Sequence, residues 1–196
     1  MFDIVKKFES EIAKFFGSPY AVATDSCTHA IELCLRYEGY SKLTIPTRTY
    51  ISIPMTCMKL SLDWEWKEED WSNYYYLGNT NIIDAAVLWK RNSYISNTYM
   101  CVSFQFKKHL NLGRGGIILL DDENSYECLS KMVYDGRDTS KKWAEQDIKT
   151  LGYHYYMTPE TAQDGLHKLK ECMQKDPKIW SQDDYPYLPK MSVFKK

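Results

Sequence analysis

The sequence predicts an α/β fold, a mainly parallel sheet flanked by helices, and three observations carry that prediction. Short apolar runs of strand type alternate with stretches of helical hydrophobic spacing. Polar, cap-forming residues stand where several of these strands give way to helices. The chain has 196 residues and no visible internal repeat, which suits one large domain or two small ones with a substantial core.

Each element follows from its own stretch. Phe2, Val5, Phe8, Ile12, Phe15 and Phe16 recur at helical spacing, so residues 3–16 read as an amphipathic helix ending near Gly17. "YAVAT" is a short buried strand. "DSCTHAIELCLRYEGY" places Ala30, Ile31, Cys34 and Leu35 on one helical face behind the cap-forming Asp25, Ser26 and Thr28. "KLTIPT" reads as a strand ended by Pro46, and "YISIPMTCMKL" as a helix with Pro54 in its first turn. "SLDWEW" and "NYYYLG" are aromatic runs of β type, and the apolar run in "TNIIDAAVLW" is a strand that ends at Asp84. "TYMCVSFQF" and "GGIILLDD" supply two more strands. "ENSYECLSKMVYDG" is a helix stopping at Gly136, and "TPETAQDGLHKLKECMQK" a longer one opened by Thr158, Pro159 and Glu160. Residues 1–170 are expected to form the domain, and residues 171–196, punctuated by prolines, an irregular tail.

Composition narrows the function classes. A formal net charge of −1 argues against a nucleic-acid or anionic-membrane partner held by bulk electrostatics. No apolar run approaches the roughly 18 residues that span a bilayer, and the charged N-terminal stretch lacks a signal-peptide core, so a cytoplasmic protein is expected. The six cysteines form no CxxC pair and sit among apolar neighbours, which reads as buried free thiols without a metal site.

In a parallel sheet, ligands bind at the carboxyl ends of strands beside helix starts. Four polar segments fall at such positions: Ser26–Thr28, Thr47–Tyr50, Asp84 and Ser103–Lys108. A helix start with free N–H groups can hold a phosphate, although most hydroxyl residues there merely cap. An ionised Asp84 at the end of an apolar run is costly unless a cation pairs with it; the plainer reading is a strand-end cap. Tyr50 can stack on a planar ligand or simply pack. Ser103 shares a strand face with Cys101 and Gln105, opposite Val102, Phe104 and Phe106; a solvated sheet face would look the same. A lysine, a carboxylate and a phosphate-cradling helix start are what pyridoxal phosphate (PLP) requires.

In this order the segments resemble the sugar-nucleotide aminotransferases of the DegT/StrS family, which have the aspartate-aminotransferase (type I) PLP fold. "FFGSPYAVATDSCTHAIELCL" is similar to the family's opening and phosphate-binding helix. "IPTRTYISIPM" resembles its Pro-x-x-Thr-aromatic segment, and "IIDAA" its Asp-Ala-Ala strand. "SFQFKKHLNLGRGG" resembles its lysine signature, and "GYHYYMTPETAQDGLHKL" its Gly-Tyr-Asn-Tyr-Arg-Met stretch. The resemblance implies that Lys108 bonds the cofactor, Asp84 pairs with its ring nitrogen and Tyr50 stacks on its ring. It assigns the phosphate to Ser26, Cys27, Thr28 and Ser103. His154 falls where the family uses an asparagine that reaches the neighbouring subunit's phosphate, which implies a homodimer with shared sites. The chain departs from the family pattern at Cys27 (a glycine there), Val87 (glutamine or histidine), Arg114 (an acid) and Tyr156 (arginine). Little or no smaller C-terminal domain follows.

The implied function is transfer of an amino group from glutamate or glutamine to a nucleotide-linked keto-sugar. The alternative is a non-catalytic cofactor- or partner-binding remnant of the fold working with another subunit. A sugar dehydratase of the same fold needs a histidine at the lysine position, and His109 is one residue out of register.

Overall fold

The computed structural model describes residues 2–195; the first and last positions of the two expected divisions, 1 and 196, lie outside the described residues. The chain opens with helix α1 (Asp3–Phe16), stopped by Gly17 at φ 79°. Strand β1 (Tyr20–Thr24) and helix α2 (Cys27–Glu38) follow, then β2 (Lys42–Pro46) and α3 (Ser52–Lys59). Next come β3 (Asp63–Lys67), β4 (Tyr75–Tyr76), β5 (Ile82–Asp84), β6 (Tyr99–Ser103) and β7 (Gly116–Leu120). Helices α4 (Glu123–Met132) and α5 (Pro159–Cys172) complete the regular elements.

The helices and strands lie where hydrophobic spacing puts them, and the α/β class holds. The sheet itself corrects one expectation. Its order is β1-β7-β6-β5-β4, and only β5 and β6 pair in parallel; β1–β7, β7–β6 and β5–β4 are antiparallel. A second, parallel ladder joins β2 to β3. Periodicity finds strands but not their direction, and alternation with helices hid the reversed strand β7. Because β7 is antiparallel to both β1 and β6, strands β1, β5 and β6 still run the same way. Their carboxyl ends, Thr24, Asp84 and Ser103, therefore share one edge.

Side chains alternate across the sheet and build a core on each face. Ala21, Ile83, Met100, Val102 and Leu119 pack under α1 and α5, where Phe8 of α1 meets Phe104 edge-on at 5.4 Å between ring centres. Val22, Ile82, Cys101 and Ile118 pack under α2, α3 and α4. Each fully buried Val, Leu, Ile, Phe or Met side chain among them contributes about 1.5–3 kcal/mol of transfer free energy. All six cysteines are free, five of them buried.

Residues beyond α5 are neither helix nor strand, yet they are docked. Three short 3-10 turns, Gln182–Asp184, Leu188–Lys190 and Ser192–Phe194, run back along β4 and the β2–β3 ladder. Ser181 bridges Ser72, Tyr187 bridges Arg48, and the Leu188 amide donates to the Thr47 carbonyl at 2.9 Å. Leu188 is fully buried. No helix among the described residues is long and apolar enough to cross a membrane.

Candidate active site

A cleft of about 580 Å³, open to solvent, lies on the edge where β1, β5 and β6 end. The start of α2 brings Ser26, Cys27 and Thr28 to it, and the loop after β2 brings Tyr50. The ends of β5 and β6 bring Asp84 and Ser103, and the turn after β6 brings Lys108. Seven of the eight residues singled out from the sequence thus meet at one place.

The α2 start leaves backbone donors free at the cleft. Ser26 caps the helix by accepting from the His29 amide at 3.2 Å, which realises the capping reading. The Cys27 and Thr28 amides have no hydrogen-bond partner among the described residues, as the first turn of a helix leaves them. They point along the positive end of a 12-residue helix. Cys27 replaces a glycine without filling the cleft, because its thiol turns inward and donates to the Cys101 carbonyl at 3.4 Å. Burial, with the Asp84 charge adding to it, pushes that thiol well above its usual range, so it stays protonated. Ser103 is buried, and its hydroxyl accepts a weak bond from the Gln105 amide at 3.3 Å. Among the described residues that hydroxyl donates to nothing.

Asp84 is buried and doubly held. One carboxylate oxygen accepts from the Ala86 amide at 3.0 Å, the cap-like turn that the plainer reading anticipated. The other accepts from the Tyr75 hydroxyl at 2.6 Å, and Tyr75 is tied in turn to Thr49. Burial outweighs these bonds and the pull of Lys108, and raises the carboxyl above its ordinary range. Asp84 lines the cleft, and a cation placed beside it there would favour its ionised form.

Lys108 lines the cleft, whereas Lys107 is exposed and rests 5.7 Å from the centre of the Phe106 ring. Burial lowers the Lys108 ammonium below the usual lysine range; Lys107 adds to this, and Asp84 and Cys27 oppose it. The Trp180 ring, from the segment after α5, lies 5.2 Å from its Nζ. Tyr50 is half-exposed at the mouth of the cleft.

His154 is not brought to the cleft. It pairs with Asp135 at 3.0 Å and lines an adjoining hollow with Asp25, Arg114 and Tyr156. His109 also points elsewhere, donating to the Cys172 carbonyl at 2.9 Å. Sequence reasoning missed Tyr75 and Ser52, and named Gln105 only as a neighbour of Ser103 on its strand face. Tyr75 was legible only as part of an aromatic strand, and it is the β4–β5 register, Tyr75 opposite Asp84, that makes it a partner.

The comparisons with known proteins agree with this architecture. The model of the DegT/DnrJ/EryC1/StrS aminotransferase family matches residues 2–60 and 92–178. The matched parts include Ser26–Thr28, Tyr50, Ser103, Lys108 and His154, while Tyr75 and Asp84 fall in the unmatched stretch between them. Among solved structures the chain is similar to AtS13 from Actinomadura melliaura, at 19% identity and a TM-score of 0.73, covering 86% of this chain and 60% of that one. It is similar to the sugar aminotransferase CalS13 from Micromonospora echinospora, at 13% identity and 0.71, with coverage of 86% and 60%. The PLP form of the putative sugar aminotransferase Spr1654 from Streptococcus pneumoniae gives 16% identity and 0.70, with coverage of 86% and 59%. The chain thus spans about 60% of the length of these structures. No curated protein sequence matches it significantly.

Proposed function

Since the chain belongs to the DegT/DnrJ/EryC1/StrS aminotransferase family, we propose that it binds PLP and transfers an amino group from glutamate or glutamine to a nucleotide-linked keto-sugar. The observation that carries the reading is the convergence on one cleft of a depressed lysine, a buried carboxylate that gains from a cation, and free donors at a helix start. These fit the three ends of PLP. The Cys27 and Thr28 amides and the Ser103 hydroxyl would hold its phosphate, Asp84 its ring nitrogen and Lys108 its aldehyde carbon, with Tyr50 against the ring. When bound, the cofactor supplies an electron sink for the carbon that loses a proton.

The chain's own residues do the rest. Tyr75 and the Ala86 amide fix both oxygens of Asp84, so the carboxylate is aimed without needing to move. Burial lowers the Lys108 ammonium below the usual lysine range, which favours the neutral amine that can bond an aldehyde and take and return a proton. Trp180 excludes water from one side of that nitrogen. His154 lies on the surface next to Arg114, which suits a role at a neighbouring subunit's phosphate in a homodimer. Two of the similar solved structures are named as sugar aminotransferases, and this supports the acceptor class.

The test is an absorbance spectrum of the purified protein with PLP, before and after adding glutamate. The expected result is a visible band that bleaches with the amino acid. A band that forms and ignores every amino-acid donor would favour a cofactor-binding module instead, and absence of any band would remove the PLP reading.

A further inference from the structure

We propose that Arg114 is a further phosphate-holding residue of this cleft, reaching an oxygen of the bound phosphomonoester from within the same chain. The inference rests on the cleft being the PLP site. The resemblance gives this residue no such role, since the family has an acid at this position.

The backbone puts Arg114 there. Gly116 runs so close to the start of α2 that a Cβ on it would meet the Cys27 nitrogen at 2.3 Å and the Ser26 carbonyl carbon at 2.5 Å. Two residues earlier in the same turn, Arg114 is therefore held beside that helix start and lines the cleft with Ser26, Thr28 and Ser103. Its Nη2 donates to an Asp25 carboxylate oxygen at 2.7 Å and its Nε to the Asp25 carbonyl at 3.2 Å. Its Nη1 has no partner among the described residues.

Electrostatics makes the placement informative. A guanidinium at the amino end of a helix has the wrong sign for the dipole. Asp25 engages only Nη2 and Nε, its other carboxylate oxygen facing His29 Nδ1 at 2.5 Å and the Ser26 hydroxyl at 3.1 Å, so Nη1 is left for a ligand. Beside it stand the buried Ser103 hydroxyl with no acceptor and two free amides. A dianionic phosphate would satisfy all of these at once, and a guanidinium fork suits its oxygens. An uncharged ligand would satisfy none of the charge.

The experiment compares pyridoxal 5′-phosphate with pyridoxal, which lacks only the phosphate, on wild type, Arg114→Ala and Arg114→Lys. Dissociation constants are read from tryptophan quenching and from the visible band. Arg114 is largely exposed, so its truncation leaves the core untouched. The expected result is a loss of about tenfold or more for pyridoxal phosphate in Arg114→Ala, the worth of a charge-assisted hydrogen bond, with pyridoxal unchanged and Arg114→Lys intermediate. Equal losses for both ligands, or no loss, would overturn the assignment while leaving the PLP reading intact. A wild type that binds neither, or binds both equally, would overturn the phosphate site itself and this inference with it.

Discussion

At the scale of single residues the cleft is an arrangement of opposed costs. Asp84 and Lys108 are each held away from their ordinary protonation behaviour by the same cause, burial, and each partly relieves the other. The raised Asp84 value has a sign that can be worked out. Ionising this carboxyl costs more folded than unfolded, so the folded state binds its proton more tightly. Its contribution to stability is fully present below the unfolded pKa and is lost as pH rises through the folded one. Asp84→Asn removes that cost in the cofactor-free protein. The amide can accept from Ala86 and donate to Tyr75, which can donate to Thr49. Thermal melting should therefore show Asp84→Asn more stable than wild type at pH 7–8, with the gap closing towards pH 3, while amino transfer is lost for want of the charge on the ring nitrogen. A variant less stable at neutral pH would mean that the carboxylate is compensated better than burial allows. The neighbouring lysines make a second test. Borohydride reduction of the PLP-loaded protein should fix the cofactor on Lys108, in Lys107→Ala as in wild type, and Lys108→Ala should abolish it. Strand alternation was enough to put Ser103 on the side of Cys101 rather than Phe104. It could not say that this side is dry, because the burial comes from α2, a distant element.

At the scale of elements, the site depends on how closely two pieces of backbone approach. Strand β7 passes under the start of α2 at Gly116, where only a hydrogen fits. The sequence shows a Gly-Gly pair before a strand and allows a tight turn there; it does not show which backbone comes near. Gly116→Ala should drive the α2 start outward. Overpacking of this kind costs about 1–3 kcal/mol, and the displaced Cys27 and Thr28 amides should weaken pyridoxal phosphate more than pyridoxal. Denaturant titration and the same two ligands measure both effects. Equal stability and unchanged ligand preference would show that the cradle tolerates the shift. The helices, the seven strands and the order of the polar segments were legible because each is written in local spacing and caps. Strand direction and the Tyr75–Asp84 pairing were not, since both arise from register between elements far apart in the chain.

At the scale of the whole molecule, the two parts outside the family match pack on each other. Residues 61–91 and 179–195 meet through Asn73 and Trp180, whose backbone and side-chain bonds are 2.8 and 3.1 Å, and through Trp71 and Gln182 at 3.1 Å. Phe194 closes on Trp64 and Trp66 at 6.4 and 5.5 Å between ring centres. This joint places the Trp180 ring 5.2 Å from the Lys108 Nζ, so a segment that the sequence read only as an irregular tail can contribute to the dryness that lowers the lysine. Few of its side chains are fully buried, Leu188 being the main one, and several of its hydrogen bonds are exposed, which marks a segment of low local stability. Leu188→Ala should therefore loosen the segment before it loosens the domain, since a cavity of this kind costs about 2–5 kcal/mol. Freed from Trp180, Lys108 gains water and loses a cation–π contact worth about 0.5–1 kcal/mol at an exposed site. Desolvation is the largest influence on this lysine, so hydration wins and its pKa moves up towards the ordinary lysine range. The measurement is the pH midpoint of amine acylation at each lysine, read by mass spectrometry, because a midpoint reports basicity independently of access. In Leu188→Ala the Lys108 midpoint should rise, and amide exchange should quicken across 179–195 but not in β6 and β7. Faster exchange with an unmoved Lys108 midpoint would mean that the body of the cleft alone dries the lysine.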